Sequence, residues 1–123
     1  MQSVGVLITG YHQDDARTIK EFLDKNLDTY VIMVAASPES ERKVIDILRA
    51  GGEEAYTEED VKILMFLGFS EVQTHMVLEA FPGGGTLARP IFCTLTSQNQ
   101  HLPFRELVAR LVEEHRQWKG KAP

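Results

Sequence analysis

Four short, β-rich apolar runs recur along the chain. Each hands over to a segment whose apolar residues return every three or four positions. The runs are Val4 to Tyr11 (VGVLITGY), Tyr30 to Ser37 (YVIMVAAS), Val61 to Phe69 (VKILMFLGF) and Pro90 to Thr96 (PIFCTLT). None alternates cleanly with charge, which predicts strands covered on both faces. The first helix is predicted from about Asp14 to Leu27, with Ala16, Ile19, Phe22, Leu23 and Leu27 on one face. Asp14 and Asp15 suit the positive end of its dipole. Ser37-Pro38 is read as the start of the second helix, which turns Val44, Ile47 and Leu48 inward and stops at Gly51-Gly52. Ser70 with Gln73 makes a capping box for the third, which presents Val72, Met76, Val77, Ala80 and Phe81 before Pro82 and three glycines end it. The last begins near Pro103 and carries Phe104, Leu107, Val108, Leu111, His115 and Trp118.

Strands alternating with helices predict an α/β fold with a four-stranded, mostly parallel sheet, right-handed crossovers and helices packed on its faces. The order also repeats. LITGY (Leu7 to Tyr11) returns as MFLGF (Met65 to Phe69), and VIMVAASPE returns as IFCTLTSQN. The chain therefore reads as one domain, 1–123, of two βαβα halves, 3–52 and 61–119. Each half has a sheet edge and a helix face it cannot cover alone. The joining segment 53–60 holds Glu53, Glu54, Glu58, Glu59 and Asp60 and no basic residue. It reads as a solvated connection, with a helical turn capped by Thr57, or as an acidic contact for a basic partner.

Composition excludes several classes. With 123 residues, 43% hydrophobic and 25% charged, the chain is an ordinary globular domain and not a disordered one. No apolar run approaches the roughly 20 residues of a bilayer span, so no membrane insertion is expected. A net charge of −5 argues against nucleic acid. One cysteine permits no internal disulfide and predicts a reducing compartment. The opening MQSVGVLITGY has no basic stretch before its apolar run, so no signal peptide is expected. The predicted setting is the cytoplasm, or the plastid stroma had a transit peptide been removed.

Ligands of open parallel sheets bind beyond the strand carboxyl ends. With the first and third strands side by side, both glycine-aromatic turns would open on one crevice. Thr9, Gly10, Tyr11, His12, Ser37, Gly68, Phe69, Ser70, Thr96, Ser97 and Asn99 would line it, and the helix N-termini there would suit a small anionic ligand. The plain structural reading of the same turns is glycine at a tight bend and an aromatic roofing the core. Recognised catalytic patterns are missing: there is no GxGxxG, no GxxxxGK[ST] and no Gly-x-Ser-x-Gly. Gly83-Gly84-Gly85-Thr86 follows a helix instead of a strand and reads as a linker. Asp14 and Asp15 lack the further aspartate and lysine of a phosphorelay pocket. His12, His75, His101 and His115 share no i, i+4 spacing, so neither a metal nor a cofactor is expected. Cys93 lies within a strand and reads as an inert buried thiol. No catalytic residue is assigned.

From Val61 onward the chain resembles a small uncharacterised domain family of bacteria and photosynthetic lineages. The residues that carry the resemblance are Gly68-Phe69-Ser70, Thr96, Asn99 and Glu114-His115 within LMFLGFSEVQTHMVLEAF and PIFCTLTSQNQHLPFRELVARLVEEHRQW. The family often places a tryptophan after the asparagine, where this chain has Gln100-His101-Leu102. The resemblance implies a fold and no reaction. A second likeness, of LGFSEVQTHMVLEAF to the three-helix ubiquitin-associated domains, stops where their third helix would stand, because PIFCTLT is strand-like.

The leading expectation is a non-enzymatic module that binds a protein partner, through a last-helix surface of Phe104, His115, Arg116 and Trp118. The alternative is a sensor of a small anionic metabolite, or a small enzyme, working at the strand-end crevice.

Overall fold

The computed structural model describes residues 4–81 and 87–121, with side chains as far as 117. Its order is β1 (Val4–Thr9), α1 (Gln13–Leu27), β2 (Val31–Ala35), α2 (Val44–Arg49), β3 (Ile63–Leu67), α3 (Glu71–Ala80), β4 (Ile91–Thr94), a 3-10 turn (Asn99–His101) and α4 (Phe104–Lys121). The strands form one sheet in the order β2-β1-β3-β4. Both outer pairs are parallel, as expected of a mostly parallel sheet. The central pair, β1 with β3, is antiparallel.

That central pairing has a self-complementary register. Adding 58 to a residue number carries Gly5 to Ile63 and Thr9 to Leu67. The observed partners are crosswise, Gly5 with Leu67 and Thr9 with Ile63, and Leu7 faces its own counterpart, Met65. The β1–β3 register is therefore two-fold symmetric about Leu7 and Met65. A second contact joins the halves: Lys43 bridges Pro103, Val44 N–H donating to the Leu102 carbonyl and Phe104 N–H to that of Arg42.

The direction of β3 follows from the connection before it. α2 has six residues and a length of about 9 Å, against about 20 Å for a six-residue strand such as β1. It cannot return the chain across the sheet. Gly51 and Gly52, at φ 79° and 93°, fold the chain onto β2, where Glu53 N–H donates to the Ala35 carbonyl. The linker then crosses the end where β1 and β2 finish, Glu59 N–H bonding the Gly10 carbonyl. β3 starts at that end and must run back.

Side chains alternate into two layers. Val4, Val6, Ile8, Leu64 and Phe66 meet α1 and α3 through Ala16, Ile19, Leu23, Val77 and Phe81. Leu7, Ile63 and Met65 meet α2 and α4 through Val44, Ile47, Phe104, Leu107 and Val108. Two expectations are corrected. The second helix starts at Val44, because Glu53 draws Ser37 to Ser40 into a turn: its carboxylate accepts from Ser37 N–H at 3.1 Å and from Ser40 Oγ at 2.8 Å. The third helix buries Val77 and Phe81, while Val72 and Met76 are 70% and 40% exposed. The Phe81 ring, edge-on to Phe22 at 5.8 Å and Phe92 at 5.4 Å, sets that roll. The linker forms no helical turn at Thr57, and the Gly83 to Thr86 segment lies outside the described residues.

Gly10, at φ 91°, has its would-be Cβ position 2.1 Å from the Val61 carbonyl oxygen, whereas Gly51, at φ 79°, faces open space. Gly10→Ala is expected to cost about 3 kcal/mol or more and Gly51→Ala about 1 kcal/mol in urea denaturation. Equal losses would contradict the close crossing of the linker over β1.

Candidate functional site

The antiparallel centre corrects the expected shared crevice. Gly10, Tyr11, His12 and Ser37 stand where β1 and β2 finish. Gly68, Phe69, Ser70, Thr96, Ser97 and Asn99 stand where β3 and β4 finish, at the opposite end of the sheet. Among the described residues the two sets are separated by the length of the sheet.

At the first end the polar groups are spent on the fold. Thr9 Oγ donates to the Ala36 carbonyl at 2.5 Å, and the linker lies over Gly10. Tyr11 is buried, and its hydroxyl donates to the Ala88 carbonyl at 2.5 Å. Burial, with Asp15 nearby, pushes its phenol well above the usual range. His12 is the N-cap of α1 without a side-chain capping bond. Its Nε2 lies 3.1 Å from Asp15 Oδ2.

The second end is similarly occupied. Phe69 stacks on Phe66 at 4.6 Å, roofing the core as Tyr11 does in the other half. Ser70 and Gln73 form the expected capping box. Thr96 and Asn99 hold each other: Thr96 N–H donates to Asn99 Oδ1, and Asn99 N–H donates to Thr96 Oγ. The remaining Asn99 amide hydrogens reach the Thr94 carbonyl at 3.0 Å. Ser97 is exposed.

Some of these bonds cap the ends of the sheet's outer strands. Ala36 N–H bonds the Ile8 carbonyl inward, so alternation turns the backbone groups of Val31, Met33 and Ala35 outward. Asp24 accepts from Val31 N–H, and Glu53 N–H caps the Ala35 carbonyl. On β4 the equivalent positions are Pro90, which has no N–H, and Thr94, capped by Asn99. The first outward donor and the last outward acceptor of each edge are thus removed from pairing.

Donor atoms of His12, Asp15 and Glu58 come within 4.8 Å of one another. Sequence spacing gave no sign of this group, because Glu58 arrives from the linker. The donor types suit a divalent ion, but the positive end of α1 opposes one, and the His12–Asp15 pair accounts for the arrangement unaided.

One open apolar groove, of about 280 Å³, is lined by Val4, Gly5, Val6, Ile32, Val34, Leu48, Leu67 and Gly68. Only Gly68 of this lining was anticipated as a site residue. The legible signals were a glycine inside an apolar strand and the double glycine that shortens α2. The anticipated last-helix surface divides: Phe104 is wholly buried, which corrects its assignment to a partner surface. His115 and Arg116 are exposed, and the Trp118 side chain lies outside the described residues.

Residues 62–117 match the family model of a domain of unknown function, DUF3783. The DUF3783 segment runs from the start of β3 into α4, which is one of the two crosswise-related halves, and it contains the residues on which the family resemblance was read. No curated protein and no solved structure matches the chain.

Asn99→Ala is expected to lower stability by about 1–2 kcal/mol, with Asn99→Asp, which keeps the acceptor for Thr96, losing less. An unchanged unfolding midpoint in both would free Asn99 for another role. Burial pushes the Cys93 thiol up to about 12. The native state favours the neutral thiol, so this contribution to stability is present below the unfolded value near 9 and fades above it. Alkylation at pH 8 should run about a thousandfold slower in the native protein than in urea, and comparable rates would show an accessible thiolate.

Proposed function

We propose that the chain is a non-enzymatic protein-interaction module whose contact surface includes the groove over Gly5, Ile32, Val34 and Leu48. One observation carries the reading: the hydroxyls of Thr9, Tyr11 and Thr96 and the side-chain amide of Asn99 are bonded to the chain's own backbone, while an apolar strip with a half-exposed isoleucine stays open. The crosswise register supports one domain of two repeats, 3–52 and 61–119. Among the described residues no helix is long and apolar enough to cross a membrane. A single, half-buried cysteine suits a reducing setting, the cytoplasm or a plastid stroma.

A second reading, a sensor of a small anionic metabolite or a small enzyme, draws on the His12–Asp15 pair beside Glu58. One experiment separates them. A photo-crosslinking residue at Ile32 should capture protein, and the same residue at exposed Glu21 on α1 should not. Nucleotides, phosphosugars, carboxylates and divalent metals should leave Tm unchanged, since a ligand at a hundred times its Kd would stabilise by about 2.7 kcal/mol. A rise in Tm abolished by His12→Ala, with no capture at position 32, would replace the first reading by the second.

A further inference from the structure

The two-fold symmetric register of β1 with β3 indicates what the groove is shaped to hold. Its counterpart in the second half is Ile63, Ile91, Cys93 and Val108, obtained by shifts of 58 for β1 to β3, 59 for β2 to β4 and 60 for α2 to α4. That counterpart is filled. Ile63 is buried where the first half has Gly5, and α4 continues past Val108 to pack Leu111 and Val112 on the same cluster. α2 stops at Arg49, and Gly51-Gly52 occupy the positions equivalent to Leu111 and Val112. The open strip is one that a helix covers elsewhere in this same molecule. Its volume, about 280 Å³, is near that of two leucine-sized cavities of about 150 Å³ each. An extended strand is not the complement, because the outward backbone groups at both ends of β2 are already taken by Asp24 and Glu53.

The chain also displays a helix with the matching lack. Val72 and Met76, one turn apart on α3, are 70% and 40% exposed, and Ile32 in the groove is 51% exposed. Large apolar side chains at i and i+4 on the outer side of a helix are the pattern of a helix laid into a groove. The two features lie near the same sheet end, since Gly68 lines the groove and α3 starts at Glu71. Each copy of a two-fold pair could then give a helix and receive one, as an isologous contact requires. Charge agrees: Arg49, exposed next to Leu48, is opposite in sign to Glu71 beside Val72.

Resting on the interaction-module reading, we propose that the groove's occupant is α3 of a second copy of this chain, Val72 and Met76 entering over Gly5, Ile32 and Val34. The contact joins helix to sheet face and leaves both sheet edges capped.

Light scattering and sedimentation on the full chain test this from micromolar to millimolar concentration. The mass is expected to rise from 13.9 kDa toward twice that value. Ile32→Glu and Met76→Lys, both at exposed positions and checked for folding by circular dichroism, should each weaken self-association about tenfold or more. Mixing these two variants should restore a heterodimer, since one of its two contacts sets the new glutamate against the new lysine and the other is native. A monomer throughout the range, or association untouched by either variant, would overturn the proposal. A monomer whose position 32 still crosslinks to another protein would leave the interaction-module reading standing without it.

Discussion

The antiparallel pairing of β1 with β3 through Leu7 and Met65 is the constraint on which the other features depend. It supplies each half with a neighbour for its inner strand. It also sends the finishing ends of the two parallel pairs to opposite ends of the sheet. Both faces of these strands are apolar, so the hydrophobic pattern alone would not fix the register. Backbone contacts do so. The Val61 carbonyl passes over Gly10 where no side chain fits, Glu59 bonds the Gly10 carbonyl, and the Lys43–Pro103 bridge pins the two halves again above the centre.

A sheet whose two parallel pairs join at its middle has two outer edges, each open to recruiting further strands unless its backbone groups are met. The chain caps the terminal outward groups of both edges, with different chemistry at each. At one edge the first outward donor is met by the Asp24 carboxylate, and at the other that donor is absent because the residue is Pro90. The last outward acceptor is met by Glu53 N–H at the first edge and by the Asn99 side-chain amide at the second. Asn99 and Glu53, which drew notice as a polar strand end and as part of an acidic run, therefore act as edge caps. Their polarity is explained by the backbone they satisfy.

Much of the fold was legible in the sequence, because the signals were local. The four strands, the Ser70–Gln73 capping box, the glycine stop after α2 and the aromatic roofs Tyr11 and Phe69 all follow from residues within a few positions of one another. What escaped was non-local. Periodicity does not encode strand direction, and the direction of β3 is decided by how far six residues of α2 can carry the chain. Ser37-Pro38 is a good helix start by its own chemistry, yet a carboxylate sixteen residues away bends it into a turn. α3 offers two apolar stripes, and only the aromatic contacts of Phe81 across the sheet select between them. The same non-locality explains the candidate site: its residues were identified correctly as strand ends and gathered wrongly, because gathering them required the direction of one strand.

The two halves obey one register, so their differences are more informative than their likeness. The linker covers the finishing end of β1 and β2. Glycine replaces isoleucine at position 5 relative to position 63, and a helix of six residues stands against one of eighteen. The first difference is required to join the halves. The shorter helix is not, since the second half shows that the same framework accepts a longer one. At position 5, by contrast, a Cβ would stand 3.0 Å from the Ile32 carbonyl oxygen, and glycine suits that close approach of β1 and β2. The strip over Ile32 and Val34 is thus open because α2 stops after six residues, and not because the sheet cannot be covered there.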